Sequence, residues 1–479
     1  MRGMLRRLFR GLALGLAGLV LLCLGLAAAW VLSNRADVPP LPMPPELARP
    51  APQVPDARNA AYALMGLFAE AGREAATAGR AMHAAEQAHY SLTFEQRQAP
   101  ATEAAYRKAM AAAQGQHLPR LQGPPAICAG GEGDCINVWL AQADALARQR
   151  EAAQVWGARC EAMLDAGFEF EEVWPALRSL GEPLAAHASP AVACATWLLT
   201  GAVLDWAQGR RDQALVQLRR ADTLQRGLLQ GSHSLIGQAV AWRVSQRVLG
   251  TMADLAVRDA SLALALQPIL APRLPDMAAG ARRWIAFEAQ YGNTGLDEML
   301  QRCLAMDEAV PGLKLGLGER AYLRVEAWLC RHRIGLQPER TRQQMASRWL
   351  ALHQAVGAGW PAAIALARQP GASGLAWRNT LGTLLVEASA GSYTAYLARQ
   401  ADVILRHQAT VLAVAAAAQK VPAAQREAWS GQQAVSDSLR PRLHWAEGGR
   451  VLTVDTWQEQ HGVASHDARR DAIRLAWPD

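Results

Sequence analysis

The chain holds 479 residues, of which 51% are hydrophobic and 19% charged, with a formal net charge of +7. Soluble domains average about 25% charged residues, and this much apolar surface offsets the entropy of ordering, so a disordered chain is excluded. Seven cysteines in that length exclude a disulfide miniprotein, while the size suits two to three domains or one elongated, repeat-like body.

The N-terminus carries Arg2, Arg6, Arg7 and Arg10, then an uncharged run of 22 residues from Gly11 to Leu32. At 1.5 Å per residue the run spans about 33 Å, enough for a hydrocarbon core of roughly 30 Å. The four arginines orient such a span with residues 1–10 in the cytoplasm and the remainder outside it, and Trp30 suits the far lipid–water boundary. Ala27 and Ala29 also fit a cleavable leader, but leaders have apolar regions of only about 7–15 residues, so an uncleaved anchor over 11–32 is expected. Leu22 before Cys23 is too large for a lipidation motif. Residues 33–56 form a Pro-rich linker, with eight prolines between Pro39 and Pro55. Such density favours polyproline II at about 3.1 Å per residue, which makes the segment a spacer whose eighteen residues 38–55 alone can hold the body up to roughly 55 Å from the bilayer.

From 57 to 440 the pattern is helical, and an all-α body of helical hairpins with a solenoid-like arrangement follows. Expected helices cover 57–90, 101–116, 134–165, 190–208, 211–230, 233–258, 275–291, 296–308, 317–331, 339–356, 376–388 and 392–434, rich in Ala, Leu, Arg, Gln and Glu. Apolar residues recur at helical spacing, as at Ile236, Val240, Val244, Val248, Met252 and Leu255. Breaks are expected at 117–134, at 266–276 with its three prolines, and around Pro370–Gly374. With Gly209 as a turn, Leu198, Gly201, Ala202, Ala214, Leu218 and Ala221 resemble a tetratricopeptide hairpin. Asp205 and Arg226 depart from that pattern, and no further copy at a 34-residue period accompanies it. In residues 441–479, Leu443 and Trp445, Gly448-Gly449 and Val451–Trp457 read as a β-hairpin with a two-residue turn that must pack on the helices to be stable.

Six cysteines lie beyond the apolar run. Cys128 and Cys135 flank a Gly-rich loop and are the favoured disulfide; Cys160 with Cys194, and Cys303 with Cys330, are placed to staple neighbouring helices or to serve as small buried hydrophobes. No metal site is expected: no second ligand pair accompanies Cys128 and Cys135, and His83 and His89, six apart, point to different sides of a helix. Gly231-Ser232-His233-Ser234 precedes a helix, where serine caps free N–H groups; no GxSxG elbow surrounds it. No phosphate loop is present, so no cofactor is expected. Two isolated acids are candidates for chemistry on an envelope polymer. Glu387 stands in Glu387-Ala388-Ser389, which loosely resembles the catalytic start of lytic transglycosylases but lacks their adjacent serine and downstream segment; Glu288 sits in an apolar helix where Arg282 or Arg283 can pair with it. The 16 tryptophans are spread about once per helix, as core fillers are.

Ser234-Leu235-Ile236-Gly237, Asn379 with Gly382, and Tyr396–Arg399 resemble segments of a loose group of uncharacterised, membrane-anchored all-helical proteins of GC-rich proteobacteria. The resemblance implies an anchor and a helical body, with no activity attached. Of 49 basic residues only Lys108, Lys314 and Lys420 are lysine, and four arginines serve the membrane flank, leaving about +3 for the rest; nucleic-acid binding is excluded. The expectation is a single-pass inner-membrane protein, N-terminus cytoplasmic and main domain periplasmic, that acts as a protein-interaction or assembly module. The alternatives are an enzyme using Glu288 or Glu387 and a binder of hydrophobic ligands between helices.

Overall fold

Runs of strong helix formers separated by Gly and Pro build an all-α chain with a small C-terminal sheet. The computed structural model describes residues 2–48, 51–92, 96–97, 99–118, 135–174, 186–309, 335–369, 377–390, 393–433, 435, 439–457 and 473–477. Helix α1 (Arg2–Asn34) continues through the expected span; its stretch Leu14–Asn34 is long and apolar enough to cross a membrane, and 0% of its most apolar 18 residues is buried in the protein. Helices Ala188–Ala207 and Tyr393–Ala418 are also long and apolar enough, yet 67% and 72% of their most apolar stretches are buried inside the body, as core helices require. The arginines at 2, 6, 7 and 10 lie along the start of α1, with side chains outside the described residues.

The first half of the body holds α2 (Ala60–Met65), α3 (Ala75–Tyr90), α4 (Pro100–Gln114), α5 (Cys135–Ala141), α6 (Ala143–Ala152), α7 (Gln154–Asp165), α8 (Ala188–Ala207) and α9 (Arg211–Gly231). Then follow α10 (Leu235–Arg258), α11 (Ala260–Leu270), α12 (Met277–Ala309), α13 (Pro338–Ala358), α14 (Trp360–Arg368), α15 (Thr380–Ala390), α16 (Tyr393–Ala418) and the short α17 (Arg426–Ser430). The single helix expected over 57–90 is two, because Gly66 and Gly79 bring α2 and α3 backbone to backbone: a Cβ on Gly66 would strike Ala75 O and one on Gly79 would strike Tyr62 O. Conversely, 275–291 and 296–308 fuse into α12, and Pro268 falls in the last turn of α11, so that helix persists to Leu270. Pro422 and Lys420, at φ 53°, end the helix expected to run to 434.

The α8–α9 hairpin turns at Gly209, φ 76°, and buries Leu198, Ala202, Ala214, Leu218 and Ala221, as the tetratricopeptide-like spacing anticipates. On α10, Val244, Val248, Met252 and Leu255 are fully buried, whereas Ile236 in the first turn is exposed. One apolar core runs from α2 through α11, a second joins α12, α13, α14 and α16, and Leu235 and Trp360 border both. The expected hairpin is a three-stranded antiparallel sheet, β1 (Leu443–Ala446), β2 (Val451–Val454) and β3 (Ile473–Ala476), in that order. Its β1–β2 turn spans four residues rather than two, because Ala446 pairs with Val451 and Glu447, Gly448 and Gly449 all take positive φ. Leu452 and Val454 pack on α10 and α16 through Ala253, Leu405 and Leu412.

The Pro-rich segment departs from the spacer expectation. Although extended, it is laid along the body as a strap. Leu47 is fully buried in the second core beside Met43, and Gln290 Nε2 donates to Leu47 O at 2.8 Å. At the far end, Asn59 and Glu169 pair as a parallel bridge, with Ala60 N donating to Glu169 O at 2.8 Å. Proline-rich backbone has spare carbonyls and little entropy to lose on docking, so the body's own donors hold it down.

Candidate functional site

The strap forms one wall of a cleft of about 910 Å3. Glu46, Gln53 and Val54 line that wall, the segment Phe168–Glu171 lines the floor, and Arg226 and Gln230 of α9, Arg282 and Arg283 of α12, His233 and His353 face them. Most of these charges already have work. Arg226 Nε donates to Asp222 at 2.6 Å while its other nitrogens hold Arg273 O and Pro272 O; Arg283 donates to Gln230 O; Arg282 lies 3.9 Å from Asp276. Glu171 Oε2 accepts from Gln53 N at 2.8 Å and Val54 N at 2.6 Å, so the floor carboxylate fastens the strap.

Behind the floor, Glu172 is buried against the start of α10. Its Oε2 accepts from His233 N at 2.6 Å and Ser234 N at 2.7 Å, and its Oε1 accepts from Ser234 Oγ at 2.7 Å, with His187 Nε2 3.5 Å away. Ser234 Oγ in turn accepts from Gly237 N at 2.9 Å, the N-cap bond expected of this serine. A Cβ on Gly237 would stand 2.5 Å from Glu172 Oε1, which explains the glycine of Ser234-Leu235-Ile236-Gly237: it leaves room for the carboxylate. The negative charge meets the positive end of the α10 dipole. The trio of serine, carboxylate and histidine is not nucleophilic in arrangement, because the carboxylate, rather than the imidazole, holds the hydroxyl proton. Burial pushes His187 down from the ordinary imidazole value, with Glu172 partly opposing that shift, so the ring stays neutral at ordinary pH.

The two sequence candidates lie apart from this cleft. Burial raises Glu288 to about 7, with the Leu235 N–H bond at 3.3 Å opposing and the nearby Glu172 adding to the shift. Its expected partners, Arg282 and Arg283, point elsewhere, to Asp276 and Gln230 O. Glu387 is half-buried on α15; its Oε1 has no hydrogen bond, and Arg348 supplies the charge nearby. An apolar pocket of about 120 Å3 lies beside it, lined by Met345, Trp349, Leu352, Leu366, Val386 and Tyr393.

Cys160 and Cys194 form a disulfide between α7 and α8, with Cα atoms 5.8 Å apart. Cys128, Cys330 and the side chains of Cys135 and Cys303, and with them the favoured pair, lie outside the described residues. Among the described residues no three His, Cys, Asp or Glu side chains converge to hold a metal. His83 instead packs edge-on against Tyr62 and His89 stacks on Tyr106 with centroids 4.3 Å apart.

A second junction, which the sequence did not disclose, joins α1 to the body. Asn34, buried at the end of α1, donates from Nδ2 to Trp377 O at 3.0 Å and accepts at Oδ1 from Asn379 N at 2.7 Å. Asp37 then caps α13 from 300 residues away, accepting from Glu339 N at 2.8 Å and Arg340 N at 3.0 Å. Asn379, at φ 56°, accepts from Gln337 N at 2.7 Å and exchanges bonds with Thr341, whose hydroxyl occupies the space a Cβ on Gly382 would need. The Asn379 and Gly382 fragment is thus the socket for the end of α1. No family model matches this chain, and no curated protein or solved structure matches it.

Proposed function

We propose that the chain is a single-pass protein of the bacterial inner membrane whose helical body, on the periplasmic side, is a protein-interaction or assembly module with a fixed pose on its anchor. The observation that carries this reading is the socket: Asn34 and Asp37 bond the exit of α1 to the segment 377–379 before α15 and to the start of α13, and the strap continues from there to wall the cleft. A partner seated in the cleft touches a segment tied directly to the membrane helix. The cleft opposes Arg and His on the helices to Glu46, Glu169 and Glu171, a mixed-charge lining that suits a polypeptide better than a lipid chain. Hydrophobic-ligand sites usually occupy at least about 300 Å3, which the apolar pocket of about 120 Å3 does not reach. Neither Glu288 nor Glu387 lines the cleft. The Cys160–Cys194 bond favours an oxidising compartment and therefore the periplasmic side.

The experiment is photo-crosslinking in cells, with a photoreactive residue at Ala279 in the cleft of the full chain. A discrete protein adduct at Ala279, absent from a photoreactive control at the exposed Val216 of α9, is the expected outcome. Absence of any adduct at Ala279 refutes the cleft as an interaction site. Orientation is tested apart from this by a reporter at the C-terminus that is active only outside the cytoplasm; an expressed, full-length fusion with an inactive reporter refutes the periplasmic placement.

A further inference from the structure

Helix α15 and the three residues before it present an apolar face at the level where α1 ends. Trp377 stands in the bend before α15, and Leu381 and Leu384 lie three apart on its first turns, with 49%, 47% and 55% of their surfaces exposed, while Asn379, Gly382 and Val386 are buried. Other exposed apolar side chains among the described body residues, such as Val138, Val216 and Leu264, stand singly along their helices and need no cover. The depth of this face is set by contacts. Trp377 O and Asn379 N are bonded to Asn34, the last residue of α1; Leu381 N donates to Gly335 O at 2.8 Å, and Gly335 lies against the Trp30 ring, 3.1 Å from the position of a Cβ. Trp30 and Asn34 bracket the final turn of the apolar helix, so the first turn of α15 lies at the lipid–water boundary. Arg378, exposed beside Trp377, supplies a cation where phosphate headgroups lie.

We infer that Trp377, Leu381 and Leu384 seat α15 in the headgroup–acyl boundary of the bilayer, as a second membrane contact beside the exit of α1. This rests on α1 spanning the membrane. A helix with leucines on one face and a tryptophan at its entrance seats in the interfacial plane in this way, and continuity with the exit of the span selects lipid over a protein as its cover. Two contacts a few ångströms apart remove the freedom of the body to swivel about a single helix, so the cleft takes one orientation over the bilayer.

The test uses the full chain reconstituted into vesicles of phosphatidylethanolamine and phosphatidylglycerol, with a photoreactive residue at Leu381 or Leu384 and, as control, at Leu264, which is 62% exposed on α11. Lipid adducts are counted by mass spectrometry after flotation. The expected result is labelling of lipid at 381 and 384 at least about tenfold above 264, since an interfacial site is surrounded by lipid and the control by water. Equal lipid labelling at all three sites in a chain that floats overturns the inference, as does an adduct to protein at 381 or 384. A chain that does not float removes the span itself, and this contact with it.

Discussion

Breaking the Cys160–Cys194 bond in the double variant Cys160→Ala/Cys194→Ala is expected to destabilise the helical body by about 5 kcal/mol. The bond closes a loop with a sequence separation of 34, and the loop-closure entropy it removes from the unfolded chain amounts to about 12–13 cal/mol/K, or about 3.8 kcal/mol at 25 °C. Both residues are fully buried, so deleting the sulfurs adds a packing loss of the order of 1 kcal/mol. The measurement is urea unfolding of the detergent-solubilised full chain followed by tryptophan emission, because Trp156 and Trp197 on the two bridged helices pack with ring centroids 5.5 Å apart. A peptide map without reductant, on protein alkylated directly in cells, is expected to recover the segments around 160 and 194 as one linked species. Two separately alkylated thiols in that map would refute the bond, and a destabilisation below about 1 kcal/mol would refute the entropic account of it.

Three further outcomes follow from the strap and the buried acids. Asp37→Ala removes the remote cap of α13 and is expected to cost about 1 kcal/mol, read as earlier proteolysis near residue 338 in the full chain; unchanged cleavage there argues that the strap does not hold that helix. Gly237→Ala drives a methyl onto the Glu172 carboxylate and is expected to cost about 2–4 kcal/mol, because the displaced charge stays buried; a wild-type urea midpoint refutes the packing described for that cap. Glu288 titrates at about 7 when folded against 4.5 as its ordinary value. The folded state therefore holds the extra proton between those values, and stability declines as pH rises from 4.5 through 7, by up to about 3 kcal/mol. Glu288→Gln is expected to flatten that decline between pH 5 and pH 8, and a decline identical to wild type assigns it to other groups.

The helical architecture was legible because composition and spacing are local properties. The Gly209 turn, the Ser234 cap and the buried row Val244, Val248, Met252 and Leu255 each depend on neighbours within one or two turns. Boundaries failed where a distant backbone intervened, as at Gly66 and Gly79, whose role is visible only once α2 and α3 touch. The candidate site was less legible. Glu171 and Glu172 lie outside any helix, and the groups they hold are 53, 54, 233 and 234, all about 60 residues or more away. A signal existed in Phe168-Glu169-Phe170-Glu171-Glu172-Val173-Trp174, where paired carboxylates stand among aromatic residues and must find donors when buried.

The strap shows most clearly why local chemistry misleads. Its prolines do set an extended backbone, and an isolated extended chain is a spacer. What it does in the protein is decided by Asn34, Asp37 and Leu47, three ordinary residues whose partners stand at 377–379, 339–340 and in the α12–α14 core. Proline lowers the entropy lost when such a segment docks, so even a few charge-assisted bonds suffice to hold it. The same stiffness that would keep a free linker extended lets a docked one transmit the position of α1 to the wall of the cleft. A flexible Gly/Ser segment of equal length would reach the same points but would let the cleft and α1 move independently.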